Sequence, residues 1–395
     1  MEIDSVYTEE IRAIINEYKH LPLSEVSLKL ATKKHLPRTF ILNQINGLQK
    51  AKEKLPSFIK NGLIFPPKVN LEQCSSEATA KFKQSILSGN TLLDLTMGFG
   101  VDVLFLSDVF NSVTAVEPNK ELTEVAQYNF DKSGNSDKIT IVNNTAEQFL
   151  HENQQSFDWI YIDPSRREQG NKKVVDLKKY SPDVTALLPQ MFRFSSNVLI
   201  KISPFADITY LHKLFNCIDR TYVVSVKNEC KEILLLLKKE LNSNRDEVIT
   251  VNLLNEQTQL FTYHQNENDI SNSEFYSGNF QSGYIYLPNV SVNKSQAYGA
   301  LVKEFQLKAI SLNTHIFWSE DKKNNFPGDI FEIVELVQLK KLNDKTVQVI
   351  LKNYPLSHQQ FLKKYKFSKG NKSQKVLLGF RDNGNKLQHL LLNRV

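Results

Sequence analysis

The run Leu92-Leu93-Asp94-Leu95-Thr96-Met97-Gly98-Phe99-Gly100-Val101-Asp102 carries an apolar stretch straight into a turn with two glycines. At the end of a strand such a turn lets a nucleoside-type ligand approach the backbone, because a Cβ at the glycine positions would hold it off. Gly98 and Gly100 meet that need, with Thr96 and Asp102 beside them. Asp94 would end the strand on a carboxylate. A second acid, Glu117, closes the run Val113-Thr114-Ala115-Val116 about 20 residues further on, the separation of one βα unit. A carboxylate there can accept both hydroxyls of a ribose. Thr145 and Ala146 follow a third run, Ile139 to Val142, at the place of an adenine-binding turn. A fourth run, Trp159-Ile160-Tyr161-Ile162, delivers Asp163-Pro164 to the same sheet end, where proline fixes the turn and withholds a backbone donor.

Two cofactor classes compete for this loop. A nicotinamide fingerprint needs a third glycine where Val103 stands. S-adenosylmethionine (SAM) has no pyrophosphate to cradle, and its cationic sulfonium suits an acid at the strand end. SAM is the expected cofactor, with Asp94, Thr96, Gly98, Gly100, Asp102, Glu117, Thr145, Ala146 and Asp163 as its binding residues. No metal is expected, since Cys74, Cys217 and Cys230 stand too far apart in sequence for a CxxC knuckle or a disulfide framework.

The elements that must position these residues follow from patterning. The chain has 395 residues, 41% hydrophobic and 23% charged, which is a folded composition long enough for several units. Residues 1–70 read as helical, with Ile11, Ile14, Ile15 and Tyr18 at helical spacing and Ile41, Ile45 and Leu48 repeating it behind Pro37. Pro66-Pro67 then mark a boundary. Residues 71–275 alternate short apolar runs with helical stretches, as a parallel sheet with crossovers requires. Val198 to Ile202 is the fifth run, and Tyr222 to Val226 with Ile233 to Leu237 forms a closing pair. The polar stretch 241–275, with the strand-like Val248 to Leu254 embedded, reads as an elaboration or linker. Two small α+β units are expected to follow, a ferredoxin-like one at 276–324 and another at 325–395. The N-terminus lacks a secretory signal, and the longest apolar block, Ile233 to Leu237, is far short of the roughly 20 residues a membrane span needs. The expected location is a reducing cytoplasm without membrane partners.

At Glu72-Gln73-Cys74-Ser75-Ser76-Glu77-Ala78-Thr79-Ala80, Asp94 to Asp102, Asp163 to Arg167, Phe326 to Phe331 and Lys352 to Ser357 the chain resembles class I SAM-dependent methyltransferases with a THUMP-like C-terminal domain. The similarity runs from about residue 55 to near the end. It implies an α/β fold: a Rossmann-like seven-stranded methyltransferase core, an N-terminal helical region and small α+β C-terminal domains, with 325–395 THUMP-like. It also implies RNA, a tRNA or rRNA, as substrate. Thr96 and Thr145 depart from the general class I pattern, which has a glycine and often an acid there. Asp163-Pro164-Ser165-Arg166 also departs from the Asp/Asn-Pro-Pro-aromatic motif of amino methyltransferases, which disfavours an exocyclic amine as acceptor.

A ribose hydroxyl acceptor must shed a proton. Ribose 2′-O-methyltransferases use a Lys-Asp-Lys-Glu set, and Lys81, Asp163, Lys201 and Glu232 occur here in that order. Lys201 reads equally as a snorkelling lysine and Lys81 as the cover of a helix face. Arg166 and Arg167 have the fork geometry for a phosphate and equally for salt bridges with nearby acids. Beyond Phe326 the chain holds 13 Lys and Arg against 5 acids, while the rest is slightly acidic. A helix capped by Pro355-Leu356-Ser357 turns Phe361, Leu362 and Tyr365 inward and Lys363, Lys364 and Lys366 outward, a face suited to RNA. Two other readings stay open: a non-catalytic RNA- or SAM-binding protein on the same fold, and a protein or small-molecule methyltransferase. Oligomeric state leaves no mark on the sequence.

Overall fold

The structure is a computed structural model and describes residues 3–166, 177, 180–240, 247–255, 257–270, 274–311, 313–342, 344–368 and 374–395, without the side chains of Asp4 and Arg166. It divides into two compact units, residues 1–219 with 234–242, and residues 220–233 with 243–395.

In the first unit, helices Glu9–Tyr18, Leu23–Ala31 and Arg38–Lys50 bury the apolar stripe expected of them. Ile11, Ile14, Ile15, Tyr18, Ile41 and Ile45 form one cluster with Val26, Leu30 and Leu36. Pro66-Pro67 does not set this helical segment apart, because it belongs to the same compact unit as the sheet. Asn129 explains part of the attachment: its side chain accepts from the Ile64 N–H at 2.9 Å and donates to the Ile64 carbonyl at 3.0 Å.

The sheet of this unit is built from β1 (Gly89–Asp94), β2 (Phe110–Val116), β3 (Ile139–Val142), β4 (Trp159–Ile162) and β5 (Asn197–Ile202). These run parallel in the order β3-β2-β1-β4-β5. Leu92, Leu93, Val113, Ile160, Val198, Leu199 and Ile200 are fully buried, as continuous apolar runs covered on both faces should be. The hairpin β6 (Ile218–Val226) and β7 (Glu229–Lys238) is shared between the two units, and Lys238 pairs with Asp219 at 3.0 Å within the first.

In the second unit, β8 (Glu247–Leu253) lies parallel to β6, and β9 (Thr258–His264) lies antiparallel to β8. Among the described residues the main sheet therefore holds nine strands, two more than the expected seven. The first of the additional pair is the strand-like run Val248 to Leu254, and the pairing buries polar residues that are satisfied. Thr250 donates to the Phe261 carbonyl at 3.2 Å, and Asn252 accepts from Ser225 and donates to Gln259, each at 3.0 Å.

The rest of this unit is a seven-stranded sheet of β10 (Tyr284–Pro288), β11 (Lys308–Ala309), β12 (Phe317–Ser319), β13 (Gly328–Leu336), β14 (Gln348–Lys352), β15 (Lys375–Arg381) and β16 (Leu387–Arg394). Its order is β11-β12-β10-β13-β16-β15-β14. The segments expected as separate units, 276–324 and 325–395, share this sheet through the antiparallel β10–β13 pair. The helix His358–Tyr365 begins at Ser357 with a reciprocal capping box to Gln360. Phe361 is buried, while Lys363, Lys364 and Lys366 are exposed.

Candidate active site

Parallel strands bring their carboxyl ends to one edge, and register decides which residues meet there. Asp94 pairs with Ala115 on β2 and Tyr161 on β4, Val116 with Val142, and Ile162 with Ile200. Glu117, Asp163 and Lys201 therefore stand at one level, two residues beyond Asp94, at the carboxyl ends of β2, β4, β5 and β1.

The turn after β1 is stitched across these ends. The Leu95 N–H donates to the Tyr161 carbonyl at 3.0 Å and the Met97 N–H to the Val116 carbonyl at 2.9 Å. The Thr96 N–H donates to the Asp94 carboxylate at 2.8 Å, and the Thr96 hydroxyl accepts from the Asp163 N–H at 2.6 Å. A glycine here would lose that second link, which gives threonine a structural reason to replace it. The Gly98 N–H donates to one Glu117 oxygen at 2.9 Å and the Asn119 N–H to the other at 2.8 Å.

Phe99 anchors the turn in an apolar cluster with Phe58, Phe65 and Val101. The two glycines beside it differ. Gly100 has φ +85°, and a Cβ there would meet the Phe130 ring at 2.7 Å. Gly98 has φ +56°, and a Cβ there would find nothing nearer than the Thr96 carbonyl oxygen at 3.9 Å. The first glycine serves packing; the second leaves space beside the acids. Thr145 caps the helix Ala146–Glu152, accepting from the Gln148 N–H at 3.2 Å, and Ala146 is buried.

Electrostatics separate the carboxylates. Asp94 is 1% exposed, and burial raises its pKa well above the usual range, with the charges of Asp102, Asp163 and Glu117 adding to the rise against the pull of the Thr96 N–H. Burial also raises Glu117, against the two N–H groups it accepts. Burial works the same way on Asp102, but there Lys83 and then Lys201 outweigh it, with the Ser75 and Tyr161 hydroxyls, and the net shift is downward.

Of the expected Lys81, Asp163, Lys201 and Glu232, the structure pairs Asp163 with Lys201 and turns Lys81 to Glu77. Lys201 contacts the Asp163 carboxylate directly. Lys81 is drawn elsewhere, pairing with Glu77 at 2.5 Å on its own helix, its side chain 57% exposed. Glu232 is buried on β7, the strand next to β5 in the sheet. The lysine of the Glu77–Ile86 helix that turns inward is Lys83, fully buried, with its amine 3.3 Å from Asp102 and 3.3 Å from the Ser75 hydroxyl. Asp102 also accepts from Ser75 at 2.7 Å and from the Tyr161 hydroxyl at 2.9 Å.

Ser75, Lys83 and Tyr161 escaped the sequence reading, although a signal for Lys83 was present. Ala80 and Leu87, both buried, lie three residues before it and four after, on one helical stripe that excludes Lys81. Of the expected phosphate-binding arginines, Arg167 lies outside the described residues. Arg166 is described in its backbone, which pairs with Tyr180.

Comparison with known proteins bears on the fold. Residues 284–327 match the model of a ferredoxin-like domain. No curated protein matches the chain. A Porphyromonas gingivalis W83 crystal structure, named provisionally as a methyltransferase, is 24% identical, with a TM-score of 0.83 over 99% of this chain and 100% of that one. A Streptococcus thermophilus rRNA methylase is 14% identical, with a TM-score of 0.31 over 42% of this chain and 95% of its own. A Streptococcus mutans protein, also named provisionally as a methyltransferase and solved with SAH, is 12% identical, with a TM-score of 0.32 over 42% and 97%. Scores that low add no argument. The chain thus has, over nearly its whole length, the α/β fold of the Porphyromonas gingivalis protein.

Proposed function

We propose that the protein is a SAM-dependent methyltransferase acting on RNA, a tRNA or rRNA, in the cytoplasm. The observation that carries this reading is the set of acids at the carboxyl ends of adjacent parallel strands, beside a glycine whose missing side chain leaves room. Each Glu117 oxygen accepts one N–H, and an ionised carboxylate has about four acceptor sites, so two ribose hydroxyls can still be received. The buried charge of Asp94 is costly on its own and suits a cationic ligand. SAM supplies, when bound, an electrophilic methyl group on a sulfonium.

What the chain contributes is orientation and a place for the proton. Asp163 is fixed from its backbone by Thr96 and from its carboxylate by Lys201, with 32% of its side chain still exposed. An acceptor that sheds a proton meets there a carboxylate able to take it. RNA as the acceptor is supported by the exposed Lys363, Lys364 and Lys366 and by the basic surplus beyond Phe326. We assign the THUMP-like role to 325–395 on that basis.

Calorimetry with SAM and with SAH, followed by transfer of labelled methyl groups to total RNA from cells lacking the protein, tests the reading. Binding that Glu117→Ala weakens at least tenfold, with label in RNA, is the expected result. No heat with either ligand overturns it. Label in protein or small molecules alone moves the assignment to another acceptor.

A further inference from the structure

The chain contains 40 aromatic residues, and among the described residues only Phe205, 77% exposed, and Tyr210, 38% exposed, are classed as exposed. Phe205 lies on the connection that follows β5, four residues after Lys201, and Tyr210 in the helix Ile208–Leu214 that comes next. A lone exposed ring needs no explanation. Two on one short segment, beside a strand end already occupied by Lys201 and Asp163, ask for one.

This segment holds its shape. The Ala206 N–H donates to the Ser203 carbonyl at 3.0 Å, and the Phe205 N–H to the Ser203 hydroxyl at 3.4 Å. Ala206 and Ile208 are buried just beyond Phe205. Asp207 then caps the helix Ile208–Leu214 by accepting from the Tyr210 N–H at 2.7 Å. Phe205 is thus presented outward from a backbone pinned on its far side. Four residues of chain span at most about 14 Å, so its Cα cannot lie farther than that from the Cα of Lys201. It therefore belongs to the same strand end as Lys201.

We infer that Phe205 is a stacking surface for the base of the nucleotide presented to Asp163 and Lys201, with Tyr210 as a lesser part of the same surface. The sequence Asp163-Pro164-Ser165-Arg166 has no ring of its own, and the neighbouring connection supplies one. An unpaired or flipped-out base has two apolar faces that an aromatic side chain can cover without reading their sequence. The inference rests on the RNA reading above and narrows it: the acceptor nucleotide is unstacked from its neighbours when bound.

The test uses the full chain and a fluorescein-labelled, unstructured RNA 12-mer. Phe205→Ala is expected to weaken binding about tenfold, in line with the loss of one stacked base. Phe205→Trp should bind within about twofold of the wild type, and its added tryptophan should be quenched by the RNA. Thermal midpoint and SAM affinity should be unchanged in both, since the ring is exposed. An unaltered affinity in Phe205→Ala, an unquenched tryptophan, or a shared loss of thermal stability and SAM binding would each overturn the inference. A wild type that ignores RNA also overturns it, whatever calorimetry says of SAM. A wild type that fails to bind SAM, yet shows the expected Phe205 pattern, removes the methyltransferase reading and leaves the stacking surface standing.

Discussion

Asp94 is almost sealed from solvent, and the carboxylates of Asp102, Asp163 and Glu117 act on it, so its ionised form burdens the folded protein. A carboxyl whose folded pKa is raised ionises more readily in the unfolded chain. It favours folding below its unfolded value, near 3.9, and that contribution is lost as pH rises through the folded value. Asp94→Asn, which can keep the Thr96 contact, should therefore melt above the wild type at neutral pH, with the gap opening as pH climbs from about 4. Its SAM affinity should fall about 10- to 100-fold. Parallel melting curves at every pH would refute the stability half. Asp102 runs the other way. Its lowered pKa stabilises the fold above the unfolded value, and this is lost as pH falls through the folded one. Removing one partner of so buried a pair leaves the other charge stranded, so Lys83→Met should cost about 3–5 kcal/mol. Adding Asp102→Asn should return part of that loss. Denaturant titration of the single and double variants measures it, and strictly additive losses would show that the two groups do not interact.

At the scale of elements, the glycine turn offers a contrast between strain and space. Gly100→Ala forces a methyl group to 2.7 Å from the Phe130 ring at φ +85°, and a loss of about 2–3 kcal/mol is expected. Gly98→Ala meets only the Thr96 carbonyl oxygen, at an unstrained 3.9 Å, so its cost is the left-handed backbone alone, about 1 kcal/mol. SAM binding should nonetheless suffer in Gly98→Ala, because the added carbon enters the space beside Glu117. Chemical denaturation and calorimetry on the pair separate the two effects, and equal stability losses would contradict the packing assigned to Phe130. This turn was legible in the sequence because its requirements are local: a strand, positive φ, and acids one βα unit apart. Lys83 was obscured because Lys81 and Lys83 differ only in which helical face they occupy, and the abundance of lysine drew attention to order along the chain rather than to the Ala80–Leu87 stripe. β8 was legible as the strand-like run Val248 to Leu254, but its place in the main sheet was not. Thr250 and Asn252 look like surface residues in a polar segment, and only the partners Phe261, Ser225 and Gln259 make their burial tolerable.

For the whole molecule, charge is the quantity that decides between acceptors. A net +6 is unremarkable, but 13 basic against 5 acidic residues beyond Phe326 concentrate it. Three of those lysines, Lys363, Lys364 and Lys366, stand exposed on or just after one helix whose opposite face is anchored by Phe361. If they meet phosphates, binding of single-stranded RNA must weaken as salt rises, with a logarithmic slope of about −0.7 per phosphate neutralised. Replacing all three by glutamine should flatten that slope by about 2 while leaving the thermal midpoint in place, since exposed lysines contribute little to stability. SAM affinity is the control and should not move. A protein or small-molecule acceptor predicts the opposite pattern: little salt dependence in the wild type and nothing for the triple variant to remove. Binding isotherms at four salt concentrations, on both proteins, choose between these outcomes.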